Sequence, residues 1–196
     1  MRVIPDPRDS GTKRERTRNR LLIATQELLL ERSAGALTIR DVSHQAELSH
    51  GTLYNYFEDR DAMVRALFET RRSTLRPELE AAMTSGADLA FEPRLRRFMR
   101  ELFEAFESHH RYIQVVFQAE HLKPTGSHSD LIAALDEIVA AGVREGVVAK
   151  AMEETLGLVL AGSIRAVLMR RSQRGGSFAL DAEPICSLVL DGARRP

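Results

Sequence analysis

Residues 48–57, Leu-Ser-His-Gly-Thr-Leu-Tyr-Asn-Tyr-Phe, bring together side chains suited to contact a phosphate backbone. Tyr54 and Tyr56 are two of only three tyrosines in the chain, and a phenolic hydroxyl is a good donor to a phosphate oxygen. Ser49 is a residue type that caps the start of a helix. Small and polar residues would then be exposed on that helix, with Leu53 and Phe57 anchoring it from behind. The pattern predicts a short helix that presents a polar edge to a nucleic acid.

Two short helices joined by a tight turn would position these side chains. Thr38 can accept from the backbone N–H of Asp41 while the Asp41 carboxylate reaches back, which is the pattern of a capping box. The second helix begins after Ser49, and the turn falls at Glu47-Leu48. This is a helix-turn-helix arrangement. In such arrangements the first helix crosses the DNA backbone and the second enters the major groove by its N-terminal end.

A basic run precedes this segment. Lys13, Arg14, Arg16, Arg18 and Arg20 are offset within the run only by a glutamate at position 15. Taken alone, such a run fits a solvated helix start as well as an arm that contacts phosphates. The helix-turn-helix downstream favours the second interpretation.

Three segments together resemble the N-terminal domain of the TetR family of transcriptional regulators: residues 21–29, residues 38–42 and residues 48–57. The resemblance covers about residues 13–68, and its most specific part is Gly51-Thr-Leu-Tyr54 followed by Phe57. The rest of the chain is similar to the family in its helical pattern and its length. The resemblance implies an all-α fold, binding to duplex DNA as a homodimer, and control by a small-molecule effector.

Carried onto this sequence, the resemblance implies a role for each matching position. His50 and Thr52 would reach base edges, and Gly51 would let the backbone approach DNA closely. Thr38 and Arg60 would contact phosphates, as would the two tyrosines. The predicted DNA-contacting residues are Arg14, Arg16, Arg18, Thr38, Arg40, Ser49, His50, Gly51, Thr52, Tyr54, Asn55, Tyr56 and Arg60.

Several positions depart from the family pattern. Glu47 occupies the turn where the family often has glycine, so a positive φ there would strain the backbone by about 1 kcal/mol. Ser33-Ala34 replaces the usual pair of glycine and an aromatic residue. His50 replaces a residue that is commonly basic or small, which leaves the base it prefers open.

Helical spacing continues through the remainder of the chain. It predicts a first helix over about 13–33, a fourth that begins after Asp59 and is kinked or ended by Pro77, and a loop over 84–90. Further helices are predicted over about 93–107, 109–120, 128–145, 150–172 and 182–193, with Gly146 as a C-cap. No apolar run is long enough for a membrane span. One cysteine and no secretory signal favour a cytoplasmic protein.

The second half of the chain is predicted to bind the effector and to dimerise. Five of the eight phenylalanines fall between residues 91 and 117. At helical spacing such residues form core more often than pocket, but the family encloses its effector in this region, among apolar and aromatic groups. The candidate effector-binding residues are Phe103, Phe106, Tyr112, Phe117, Gln118 and His121. Residues 152–168 are apolar nearly all round, which predicts a helix covered on every side. The candidate dimer-interface residues are Leu156, Leu160, Ile164, Ile185, Leu188 and Val189.

The sequence therefore predicts an all-α protein in two parts. A three-helix helix-turn-helix DNA-binding domain would occupy residues 13–60, and a larger helical domain for effector binding and dimerisation would occupy residues 61–196. The expected function is a repressor released from a palindromic operator by a small apolar or aromatic effector. An activator of the same fold and a helical interaction protein scaffolded on DNA remain alternatives. No enzyme motif, metal-ligand spacing or cofactor motif is present, so no enzymatic activity, metal or cofactor is expected.

Overall fold

The computed structural model describes residues 11–31, 36–118 and 127–193. The elements in these ranges are helical, which confirms the predicted fold class. The α-helices, in chain order, are α1 Lys13–Glu31, α2 Ile39–Gln45, α3 His50–Tyr54, α4 Arg60–Thr84, α5 Phe91–Ser108, α6 His110–Gln118, α7 Ser127–Arg144, α8 Glu153–Arg174 and α9 Ala182–Ala193. Within those ranges, none of the helices has the length and apolar character that crossing a bilayer requires.

The described residues form two compact units that do not follow chain order. Unit 1 comprises the residues up to Thr74 together with those from His109 to Gln118, and thus holds α1 to α3, the first part of α4, and α6. Unit 2 comprises the residues from Leu75 to Ser108 and those from 127 onward. The functional boundary expected between residues 60 and 61 stays a prediction.

Side-chain caps fix where the short helices of unit 1 begin. The predicted capping box is present: Thr38 Oγ1 accepts from the Asp41 N–H at 3.1 Å, and the Thr38 N–H donates to Asp41 Oδ2 at 3.3 Å. Ser49 Oγ accepts from the Thr52 N–H at 3.1 Å, which starts α3. Asp59 Oδ1 accepts from the Ala62 N–H at 2.6 Å, which starts α4. Each cap contributes about 1 kcal/mol to helix stability.

The core of unit 1 forms around α1, which packs against α2 and α6. The apolar face of α1 is fully covered, and the anchors predicted for α3 are buried with it. The buried apolar residues of this core include Leu21, Leu22, Leu28, Leu29, Val42, Leu53, Phe57, Met63, Leu67 and Phe68. Burial of this set holds α2 and α3 in place, because helices of 7 and 5 residues are too short to persist alone.

Pro77 does not end α4, which was one of the two outcomes that the sequence predicted, because the helix runs from Arg60 to Thr84 with Pro77 inside it. A proline in a helix interior removes one backbone hydrogen bond and costs about 3 kcal/mol or more. Pro77 is exposed, whereas Leu75 and Ala82 on either side of it are buried. Burial of the flanking turns keeps the helix continuous despite the missing bond.

Unit 2 is built around α5, which packs against α7 and α9, while α8 packs against both α7 and α9. The buried face of α5 is rich in phenylalanine and includes Phe91, Phe98 and Phe103. The first N–H of α5, that of Phe91, donates to Glu145 Oε2 at 2.9 Å. Gly146 has φ 74°, so it ends α7 in the left-handed conformation expected of a C-cap.

Candidate nucleic-acid interface

The first turn of α3 is open to solvent. His50 and Gly51 are exposed beside the Ser49 cap, and Tyr54 in the last turn keeps 57% of its surface exposed. Leu53 on the opposite side of the helix is fully buried. The helix is therefore anchored by one face and presents the other, with its polar groups, to the outside.

Gly51 has free space where a side chain would stand. A Cβ atom built at this position has only Ser49 Oγ within reach, at 3.9 Å, and its φ is not in the left-handed region. The fold itself thus imposes no requirement for glycine here. If a glycine is required at position 51, the requirement must come from a molecule that contacts the chain there.

The basic start of α1 lies against the aromatic residues that follow α3. The guanidinium carbon of Arg14 is 5.8 Å from the centre of the Tyr56 ring, and that of Arg18 is 5.7 Å from the centre of the Phe57 ring. Both distances suit a cation–π contact. These contacts bring α1 charges beside α3, and Arg16 is exposed on the same helix start.

Polar groups at the start of α2 and α4 differ in how free they are to bind a phosphate. Thr38 is exposed, and its hydroxyl donates to Asp41 Oδ2 at 2.6 Å in addition to capping the helix. Arg40 is exposed. Arg60 Nε donates to Asp61 Oδ1 at 2.9 Å, and Nη2 lies 2.9 Å from the same oxygen in an ion pair, so the charge of Arg60 is partly neutralised by its neighbour. Its remaining N–H groups are the ones available to a phosphate.

The turn between α2 and α3 carries backbone strain at Glu47. Its φ is 52°, which is the left-handed region in which glycine is favoured. Arg20 supports the turn from α1, because its Nη2 donates to the Ala46 carbonyl at 2.5 Å and lies 3.8 Å from Glu47 Oε2. Sequence reasoning missed this role of Arg20. The two ends of the contact are 26 residues apart, and no local pattern reveals it.

The predicted effector-binding residues that the structure describes are divided between the two units. Phe103 and Phe106 are buried in unit 2, and Tyr112 is buried in unit 1. The side chains of Phe117 and Gln118, and the whole of His121, lie outside the described residues. Burial raises the pKa of Tyr112 to about 12, so its phenol stays neutral at physiological pH.

The predicted dimer-interface residues differ in how far the chain itself covers them. Leu156, Leu160, Ile164 and Val189 are buried inside unit 2, at 7% exposure or less. They pack in the core of the chain itself because α8 lies against both α7 and α9. Ile185 is half-buried, and Leu188 is 77% exposed. The apolar residues that α8 leaves at the surface are instead Leu158, Val159 and Met169.

Comparison with known proteins agrees with this geometry. Residues 21–67 match the family model described as bacterial regulatory proteins, tetR family. The match contains α2 and α3 and the turn between them. Over these residues the chain is similar to the DNA-binding part of the TetR family.

Relatives along the whole length are more distant. The chain is 26% identical over 205 residues to the HTH-type transcriptional repressor KstR2 of Rhodococcus jostii strain RHA1, with 99% of each chain covered. A TetR-like transcriptional regulator from Rhodococcus sp. RHA1 has a TM-score of 0.73 at 18% identity, covering 93% of this chain and 98% of that one. The regulator FadR of Bacillus subtilis, solved with stearoyl-CoA, has a TM-score of 0.65 at 15% identity, covering 88% and 97%. At these identities the solved structures show a shared fold.

Proposed function

We propose that this chain is a cytoplasmic repressor of the TetR family that binds a palindromic operator as a homodimer and is released from it by a small-molecule effector. The observation that carries the proposal is the first turn of α3, which is capped, exposed and free of a side chain at Gly51. The relative KstR2 is a repressor by name, which supports repression over activation.

The DNA contact would follow the usual geometry of paired reading helices. The first turn of α3 would enter the major groove, and a second copy of the chain would place its own α3 about 34 Å away, one helical turn along the duplex. His50 and Thr52 would face base edges. Arg14, Arg16, Tyr54 and the free N–H groups of Arg60 would bind phosphates and so fix the register of the protein on the DNA.

Release would follow from different affinities of the effector for two conformations. An effector can weaken DNA binding only if it binds more tightly to the conformation that fits DNA poorly. Residues of α4 belong to both units, so this helix is one covalent connection through which a change caused by the effector would reach the helix-turn-helix. The effector would contact some of the residues that the sequence predicted for this role: Phe103, Phe106, Tyr112, Phe117, Gln118 and His121.

Replacing Gly51 by alanine tests the DNA-binding proposal directly. Selection from a random duplex library with the natural protein would supply the operator, and fluorescence anisotropy on that duplex would give Kd. We expect Gly51→Ala to weaken binding at least tenfold, because the added methyl would stand between the α3 backbone and the groove. Folding should be unharmed, since alanine is favoured over glycine in helices by up to about 1 kcal/mol.

The matched control is Gly192→Ala in α9, where a Cβ atom also meets nothing within 4 Å. This variant should bind the selected duplex like the natural protein. Binding of the natural protein should weaken as salt is raised, because phosphate contacts release counterions. Equal Kd values for Gly51→Ala and the natural protein would contradict the proposed role of α3.

A further inference from the structure

Arg71 is a buried cation without a carboxylate partner among the described residues. It lies in α4 of unit 1 and is only 7% exposed. Its Nε donates to Gln26 Oε1 of α1 at 2.7 Å, and Gln26 is itself 6% exposed. A neutral amide therefore satisfies one of the five donors of this guanidinium. Buried charges in proteins are normally paired with an opposite charge.

A second positive charge acts on Arg71 and makes its lack of a carboxylate partner more costly. Arg111 of α6 adds a like charge, which together with burial lowers the pKa of Arg71 to about 10. The group is still protonated at neutral pH, so the interior of unit 1 holds a full positive charge there. A guanidinium in this situation is stabilised by any anion that can reach it.

Other donors surround the same place. Arg72, Glu69 and Arg71 of α4 each act electrostatically on the phenol of Tyr112 in α6. Its ring packs edge-on against Phe68, with 6.2 Å between ring centres. Because burial keeps the phenol neutral, Tyr112 offers an O–H donor and adds no negative charge. Phe68 and Arg71 are three residues apart on α4 and so share a face of the helix, which places Arg71 on the side of α4 that meets Tyr112. Glu69 is a carboxylate of the same helix and lies 3.8 Å from Arg72.

We propose that Arg71, Arg72, Arg111 and Tyr112 form a site for the oxyanion group of the effector, a carboxylate or a phosphate, held between α4 and α6. This rests on the proposed function, since the anion is taken to be the acid group of the molecule that controls DNA binding. The guanidinium fork matches both oxyanions in shape and can donate two parallel hydrogen bonds to either. The site belongs to the unit that carries the helix-turn-helix.

The test uses three ligands that share one apolar chain: octanoate, octyl phosphate and octanol. Binding to the full-length protein without DNA is measured by isothermal titration calorimetry at constant ionic strength. We expect the natural protein to bind at least one of the two acids, and octanol at least tenfold more weakly. Preference for octyl phosphate or for octanoate identifies which oxyanion the site takes.

Arg71→Met removes the charge and keeps an unbranched side chain, and we expect it to weaken binding of the preferred acid at least tenfold. Arg111→Gln is a second variant at an exposed position, where a substitution should not impair folding. We expect it to weaken binding of the acid three- to tenfold. Arg65→Met is the matched control, because Arg65 is an exposed arginine of the same helix. It should bind the acid like the natural protein.

The proposal is overturned if neither acid nor inorganic phosphate binds the natural protein at millimolar concentration. It is equally overturned if octanol binds as tightly as the acids, or if folded Arg71→Met and Arg111→Gln both keep the natural affinity. Each variant is also tested for binding to the selected duplex without ligand. If the variants lose acid binding but still bind the duplex, the repressor proposal stands. If the natural protein binds the acid but no duplex DNA, the repressor proposal is refuted and the anion site is not.

Discussion

Glu47 shows how a single residue can be held in an unfavourable conformation by the structure around it. Its left-handed φ of 52° costs an L-residue with a Cβ atom about 1–2 kcal/mol. The ion pair with Arg20 does not offset this cost, because the two side chains are 40% and 86% exposed and such surface pairs contribute little. The conformation persists because the turn must close: the Leu48 N–H donates to the Ser43 carbonyl at 2.9 Å.

Glu47→Gly should therefore stabilise the protein. Removing the Cβ atom relieves the strain, while the greater freedom of glycine in the unfolded chain cancels part of the gain, so we expect a net increase of about 1 kcal/mol in the free energy of unfolding. Urea denaturation measures it. Glu104→Gly, at an exposed site inside α5, is the control and should lower the same quantity by about 1 kcal/mol. A decrease for Glu47→Gly would show that the turn is not strained.

Individual residues differ in how far the sequence could predict them. The strain at Glu47 could be foreseen because the resembling family often has glycine there. The exposed edge of α3 followed from the Ser49 cap and the apolar anchor Leu53. The contact of Arg20 with the Ala46 carbonyl could not be predicted from the sequence, since it depends on how α1 crosses α2. The surroundings of Arg71 likewise depend on three helices that are distant in sequence.

At the scale of helices, the ends were predictable wherever a local group fixes them. The start of α2 is set by Thr38, that of α4 by Asp59, and the end of α7 by Gly146, all within a few residues of the helix they bound. The exception is α4, which continues through Pro77. The rule that proline ends a helix considers only the backbone hydrogen bond that is lost. Here the helix continues because Leu75 and Ala82 are buried on either side of Pro77.

Close packing of α5 against α7 depends on Gly142. A Cβ atom there would lie 2.6 Å and 2.7 Å from two ring carbons of Phe91 and 2.9 Å from a methyl of Val148. Phe91 is fully buried at the start of α5 and cannot turn aside. We expect Gly142→Ala to lower the free energy of unfolding by about 1–3 kcal/mol through overpacking.

Chemical denaturation followed by circular dichroism checks this value. Gly192→Ala serves again as the control, because its added methyl is unobstructed, and it should leave stability unchanged or slightly raised. If Gly142→Ala proved as stable as the natural protein, the contact between α5 and α7 would be looser than described.

At the scale of the whole molecule, the proposed homodimer needs a surface that the single chain leaves uncovered. Leu158 and Val159 of α8 are 63% and 47% exposed, and Leu188 of α9 is 77% exposed. Gly162, also on α8, has nothing within 4 Å of a Cβ position, which leaves room for a second helix to approach closely. The sequence analysis named Leu188 among the interface residues but not Leu158 or Val159, because a helix that is apolar all round does not reveal which side its own chain covers.

Leu158→Glu and Leu188→Glu should each shift the protein from dimer to monomer. A carboxylate at either place would be buried without a partner in a dimer, yet would remain hydrated in the monomer, so folding is retained while association is weakened at least tenfold. Light scattering after size-exclusion chromatography at micromolar concentration measures the mass. Val147→Glu, at a half-exposed valine beyond α7, is the control. A natural protein that ran as a monomer would refute the dimer itself.

The brevity of α2 and α3 also bears on how this protein could be used. Helices of 7 and 5 residues owe their shape to the covered face of α1 and to a strained turn that Arg20 steadies. A synthetic peptide spanning residues 36–60 would hold most of the contact side chains and none of the scaffold that orients them. Grafting these residues alone, as a loop or short segment, therefore should not transfer specificity for a DNA sequence. The buried apolar residues that orient α2 and α3 have to be transferred with them.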